Sequence, residues 1–109
     1  MLKLTLIQDG KKKEYTAEGF TMRASVMAYE LGEEYDQAGT NIPPALRDKC
    51  IEFVRVVFGF QFTADELWDG CYDSFYRMIP RMMHAAVLGV SDAMQEFPAN
   101  PTAAAMESN

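Results

Sequence analysis

The chain has 109 residues, 49% of them hydrophobic, and a formal net charge of −6, the size and composition of one compact domain. Binding a phosphate backbone needs clustered Lys and Arg to displace counterions, and the acids here are spread along the chain, so nucleic acid is excluded as an expected direct partner. No stretch approaches the roughly twenty apolar residues of a membrane span, and MLKLTLIQDGKKK lacks the order and length of a signal peptide, so a cytosolic protein without a membrane partner is expected.

Leu2, Leu4 and Leu6 alternate with Lys3 and Thr5, a period of two, and Asp9-Gly10 offers the positive φ angles of a tight type I′ turn. A β-hairpin over residues 1–18 follows. Pairing across that turn sets Leu6 opposite Lys13, Leu4 opposite Tyr15 and Leu2 opposite Ala17, so Leu2, Leu4, Leu6, Tyr15 and Ala17 share one face. A two-stranded hairpin is marginal in water, and the helices that follow are its lid. Lys11, Lys12 and Lys13 form a solvated basic run that discourages edge-strand pairing.

Thr21 is an N-cap for a first helix of about residues 22–35, whose apolar face carries Ala24, Met27, Ala28, Leu31 and Tyr35. Gly39, Asn41 and the Pro43-Pro44 pair break the pattern, and Pro44 suits the first turn of a second helix with Leu46, Cys50, Phe53, Val54 and Val57 on one side. Gly59 can end that helix in the left-handed conformation. Thr63 and Glu66 then form a capping box for a short third helix, with Phe62 and Leu67 as its hydrophobic staple and Gly70 as its stop. The two helices are thereby held at a corner.

The last helix starts near Asp73 or Ser74 and shows the strongest periodicity, through Phe75, Met78, Ile79, Met82, Met83, Ala86, Val87, Val90 and Met94. It is expected to be the longest element and to kink or restart at Pro80, which removes a backbone hydrogen bond and clashes with the carbonyl of Tyr76. The sequence after Phe97, PANPTAAAMESN, is short of large apolar residues. The expected fold is mainly α: one domain over 1–96, made of the hairpin and a helical body over 22–95 with four helices, followed by a disordered tail over 97–109.

No motif points to a catalytic residue, a cofactor or a metal. Asp65, Glu66, Asp69 and Asp73 cluster near the short helix, where the helix macrodipole accounts for them better than a hard cation does. His84 is the only histidine and no nucleophile accompanies it. Cys50 and Cys71 lack the spacing of a zinc site or a disulfide framework and are expected to be buried free thiols. The glycines match no phosphate-binding pattern. The methionines stand out: Met78, Met82, Met83 and Met94 share the last helix, and unbranched thioethers suit both irregular cores and adaptable binding surfaces. Trp68, unique in the chain, is either a core plug or an anchor for a partner.

At FGFQFTADELWDG the chain resembles the tail assembly chaperones of long-tailed, siphovirus-type bacteriophages and related prophages. Phe58-Gly59, Gln61-Phe62-Thr63, Asp65-Glu66 and Asp69-Gly70 carry the likeness, which extends over about residues 1–95, with Cys71 where an aliphatic residue such as Leu is expected. The resemblance implies a non-enzymatic helper in the host bacterial cytoplasm, absent from the finished virion, that coats the tape measure protein and recruits tail tube (major tail) subunits. It also implies self-association and, in many members, a longer form of the same chain made by programmed ribosomal frameshifting. On this reading Trp68, Met78, Met82 and Met83 are expected to contribute to the partner surface. Two rival readings stand behind it: an acidic decoy of a nucleic-acid-binding protein, and a small helix-turn-helix regulator built on the corner at Gly59.

Overall fold

The computed structural model describes residues 1–89 and 95–97. In chain order these form β1 (Leu2–Gln8), β2 (Lys11–Ala17), α1 (Met22–Ala38), α2 (Pro44–Val57), α3 (Ala64–Gly70), α4 (Phe75–Leu88) and β3 (Gln95–Phe97). The hairpin has the expected register, with Leu2 opposite Ala17, Leu4 opposite Tyr15 and Leu6 opposite Lys13. Its two turn residues, Asp9 and Gly10, have φ of 53° and 76°, as a type I′ turn demands. Leu2, Leu4 and Leu6 are fully buried, each contributing on the order of 2 kcal/mol by leaving water. The helices supply the cover, and Phe53 and Val54 of α2 and Ile79 and Met82 of α4 belong to the same buried cluster.

Two features of the chain's second half depart from the sequence expectation. Helix α4 ends at Leu88, where Gly89 takes a left-handed φ of 69°; the expected continuation through Val90 and Met94 lies outside the described residues. Among the described residues the longest helix is α1, with 17 residues against 14 for α4. Then Gln95–Phe97, placed by periodicity at the seam between helical body and tail, forms a third strand, parallel to β1, with Leu4 opposite Phe97. The sheet order is β2-β1-β3, and Phe97 is fully buried rather than part of a tail. Residues 98–109 of the expected tail are outside the described residues.

The corner between α2 and α3 forms as expected. Gly59 donates to the carbonyl of Val56 at 3.1 Å and Phe60 to that of Arg55 at 2.8 Å, the paired bonds of a Schellman ending. Thr63 Oγ1 accepts from the Glu66 amide at 3.1 Å while the Thr63 amide donates to Glu66 Oε1 at 2.8 Å, closing the capping box. Phe62 and Leu67 are both buried. The Gln61 side chain ties this corner to the hairpin, donating to the carbonyls of Thr16 at 2.9 Å and Phe58 at 2.8 Å. In a two-residue hairpin the alternation of bonded pairs turns the backbone of Thr16 outward, so Gln61 satisfies an edge carbonyl of β2. Helix α4 runs on through Pro80 without restarting.

Candidate partner-binding surface

The short helix α3 and the start of α4 display aromatic rings, and the packing beneath explains why they are held in place. Gly70, the last residue of α3, lies against β1: a Cβ there would stand 2.8 Å from the carbonyl oxygen of Ile7 and 3.3 Å from Leu6 Cβ. The glycine is required by this close approach, and it fixes the position of Trp68 two residues earlier. Cys71 then leaves the helix, its thiol donating to the Met78 thioether at 3.4 Å, so it packs as a small apolar group. Asp73 Oδ1 accepts from the Ser74 amide at 2.7 Å as α4 begins.

On this base Trp68 stacks on Phe75, with centroids 5.9 Å apart and planes 10° from parallel. Phe75 stacks in turn on Tyr35 of α1 at 6.5 Å and meets Tyr76 edge-on at 5.5 Å. The row is continuous and partly wet: Trp68 is 41% exposed and Tyr76 58%. Rings fixed by stacking offer large contact area without much rotamer entropy left to lose, the property that makes Trp and Tyr binding anchors.

Of the four residues expected at the partner surface, only Trp68 is exposed. Met78, Met82 and Met83 are 4%, 0% and 5% exposed and fill the core between α4 and the rest of the body, Met83 also reaching the floor of the groove between α1 and α4. The physical reason is that α4 has one apolar stripe, shared with Ile79 and Ala86, and that stripe covers the sheet and the neighbouring helices. The structure does not bring Trp68 and the methionines onto one accessible face. Tyr29 and Tyr76, which sequence reasoning passed over, stand outside the apolar stripes of their helices, where a large aromatic among polar positions is the signal that marks them; Tyr72 lies in the link between α3 and α4.

A second accessible feature is the groove between α1 and α4, about 330 Å³, with Tyr29, Gly32, Glu33 and Asp36 on one wall and Pro80, His84 and Val87 on the other. The helices run antiparallel, since Tyr35 near the end of α1 stacks on Phe75 at the start of α4. Exposed Val26 and Tyr29 on α1 and Val87 and Leu88 on α4 supply further accessible apolar surface on these two helices.

The ionisable groups offer little chemistry. Burial pushes the Cys50 thiol up to about 11, with the Glu34 carboxylate adding to the effect, and pushes Cys71 up to about 12, with the nearby Asp73 carboxylate adding to it. Both thiols stay protonated at neutral pH and are poor nucleophiles. Burial also raises the Tyr35 phenol. Among the described residues no three His, Cys, Asp or Glu side chains come together as a metal site, and no helix is long and apolar enough to cross a membrane.

Compared with known proteins, the chain matches over residues 1–98 a family model described as phage tail chaperone protein. No curated protein and no solved structure matches it.

Proposed function

The chain belongs to the phage tail chaperone family, and from that premise we propose that it is a non-enzymatic tail assembly chaperone, acting in the host cytoplasm on the tape measure protein of a siphovirus-type tail. It holds that long protein in solution, brings tail tube subunits to it and leaves before the virion is complete. Self-association, and a longer frameshifted form carrying the same body, would multiply the copies along one tape measure chain.

The observation that carries this reading is the row of fixed, half-exposed rings around Trp68, Phe75 and Tyr76 on an acidic chain of net charge −6. Aromatic anchors bind apolar helices, and a charge far from zero keeps the complex dispersed. The decoy and the DNA-binding regulator have no such support: α3, the recognition helix of the latter, carries Asp65, Glu66 and Asp69 and no base, which a DNA groove repels.

Co-expression with the tape measure protein tests the proposal. The wild-type chain is expected to shift the tape measure protein from pellet to supernatant. The Trp68→Ala/Tyr76→Ala double variant is expected to lose most of that effect while circular dichroism reports an intact fold. A wild-type chain that leaves the tape measure protein in the pellet overturns the reading.

A further inference from the structure

Gly32 lies in the interior of α1, where glycine weakens a helix relative to alanine by its backbone entropy. Among the described residues neither conformation nor packing calls for it. It has no positive φ, and a Cβ built on it would meet nothing within 4 Å, the reverse of Gly70. What the missing side chain leaves is a gap in one wall of the α1/α4 groove. Opposite stands Pro80, a residue with its own cost inside a helix. Two residues unfavourable to their helices thus face one groove.

We propose that this groove seats a helix of another polypeptide, with an apolar ridge that settles over Gly32 and Lys or Arg residues beside the ridge. The inference rests on the chaperone reading and adds to the aromatic row a second contact, with the kind of helix it takes. Charge selects the occupant. From Glu30 to Asp36, α1 carries Glu30, Glu33, Glu34 and Asp36 and no base. Glu34 is engaged by Lys49 at 3.3 Å on the α2 side. Glu33 and Asp36, three apart and so on one helix face, line the groove. A second copy seated groove to groove would bring the acids of its own α1 against these, whereas a helix flanked by Lys or Arg would complement them. From Tyr29 to Asp36 the α1 wall runs about 10 Å, two turns of a bound helix, room for anchors at i, i+3 or i+4, and i+7.

Fluorescence anisotropy with two synthetic helical peptides tests this, one with a leucine ridge flanked by lysines and the other with the same ridge flanked by glutamates. The lysine peptide is expected to bind the wild-type chain at least tenfold more tightly than the glutamate peptide. Gly32→Leu, which fills open space and leaves the melting temperature undiminished, is expected to weaken that binding at least tenfold. Glu33→Lys/Asp36→Lys is expected to reverse the preference. Binding of neither peptide, equal binding of both, or lysine-peptide binding that survives Gly32→Leu overturns the groove. So does self-association of the chain that Gly32→Leu abolishes, which gives the groove to a second copy. The two readings fail separately: if Gly32→Leu and wild type keep the tape measure protein equally soluble, the groove falls and the chaperone role stands, whereas if the wild type fails in that assay the role itself falls.

Discussion

Phe58, Phe60 and Phe62 occupy alternate positions in the corner, and identical side chains there do two different jobs. Phe58 and Phe62 are 1% and 3% exposed and tilt against each other with centroids 6.0 Å apart, and Phe62 also meets Tyr15 edge-on at 5.0 Å. Phe60 is 57% exposed and has a φ of 59°, a left-handed conformation that costs a bulky residue about 1–2 kcal/mol. It is held there by the Schellman bond to the Arg55 carbonyl and by the Arg55 guanidinium, 5.2 Å above its ring. Arg55 is fixed in turn by bonds to the Phe62 carbonyl at 3.0 Å and to Glu52 at 2.7 Å. Truncation should separate these roles. Phe58→Ala or Phe62→Ala should each cost about 3–5 kcal/mol. Phe60→Gly relieves the strain and loses a cation–π contact worth about 0.5–1 kcal/mol, so its net change should stay within about 1 kcal/mol. Urea titrations of the three variants decide the matter, and a large loss in Phe60→Gly would show that its ring packs more than its exposure indicates.

Between elements, the contact that sets α3 on the sheet is the approach of Gly70 to β1. Gly70→Ala places a methyl 2.8 Å from the Ile7 carbonyl oxygen, a backbone atom that cannot swing aside. The helix must lift, at a cost of about 1–3 kcal/mol for the overpacking, or roughly 4–8 °C of melting temperature per kcal/mol in a domain of this size. Trp68 rides on the same helix, so its fluorescence should shift as well; an unchanged melting curve and spectrum would show that α3 does not depend on this approach. Gly70 also marks the limit of what the sequence can tell. Read locally it stops a helix, and its partner Ile7 is distant in sequence. The hairpin register and the capping box were legible because they are set within a few residues by turn chemistry and reciprocal hydrogen bonds. The stripe of Met78, Met82 and Met83 was legible as a stripe, yet periodicity does not say whether it meets the chain's own core or another chain. Only packing decides that, and here it buries the methionines and leaves Trp68 and its neighbours in view.

For the molecule as a whole, β3 ties the end of the domain to its beginning. Parallel pairing of β1 and β3 needs a long crossover, and the entire helical body provides it, so β3 docks on β1 only when the helices between are in place. Three residues hide this strand from any period-two reading, but they carry Phe97, fully buried on the sheet with the Arg81 guanidinium 4.4 Å from its ring centroid. The family match over residues 1–98 extends just past this strand, in keeping with β3 as part of the domain. Phe97→Ala should cost about 3–5 kcal/mol, a large share of the roughly 5–15 kcal/mol that holds a small domain together, and it leaves the β1 edge open to pairing with other chains. If the fold is one cooperative unit, two probes at opposite ends should report the loss together. Far-UV circular dichroism follows the helices and sheet, and Trp68, the only tryptophan, follows α3. In denaturant both midpoints should fall by the same amount in Phe97→Ala and stay coincident, and the variant should aggregate more readily on refolding. A variant in which the Trp68 transition keeps its wild-type midpoint would show instead that β3 is an appendage on a body that folds without it.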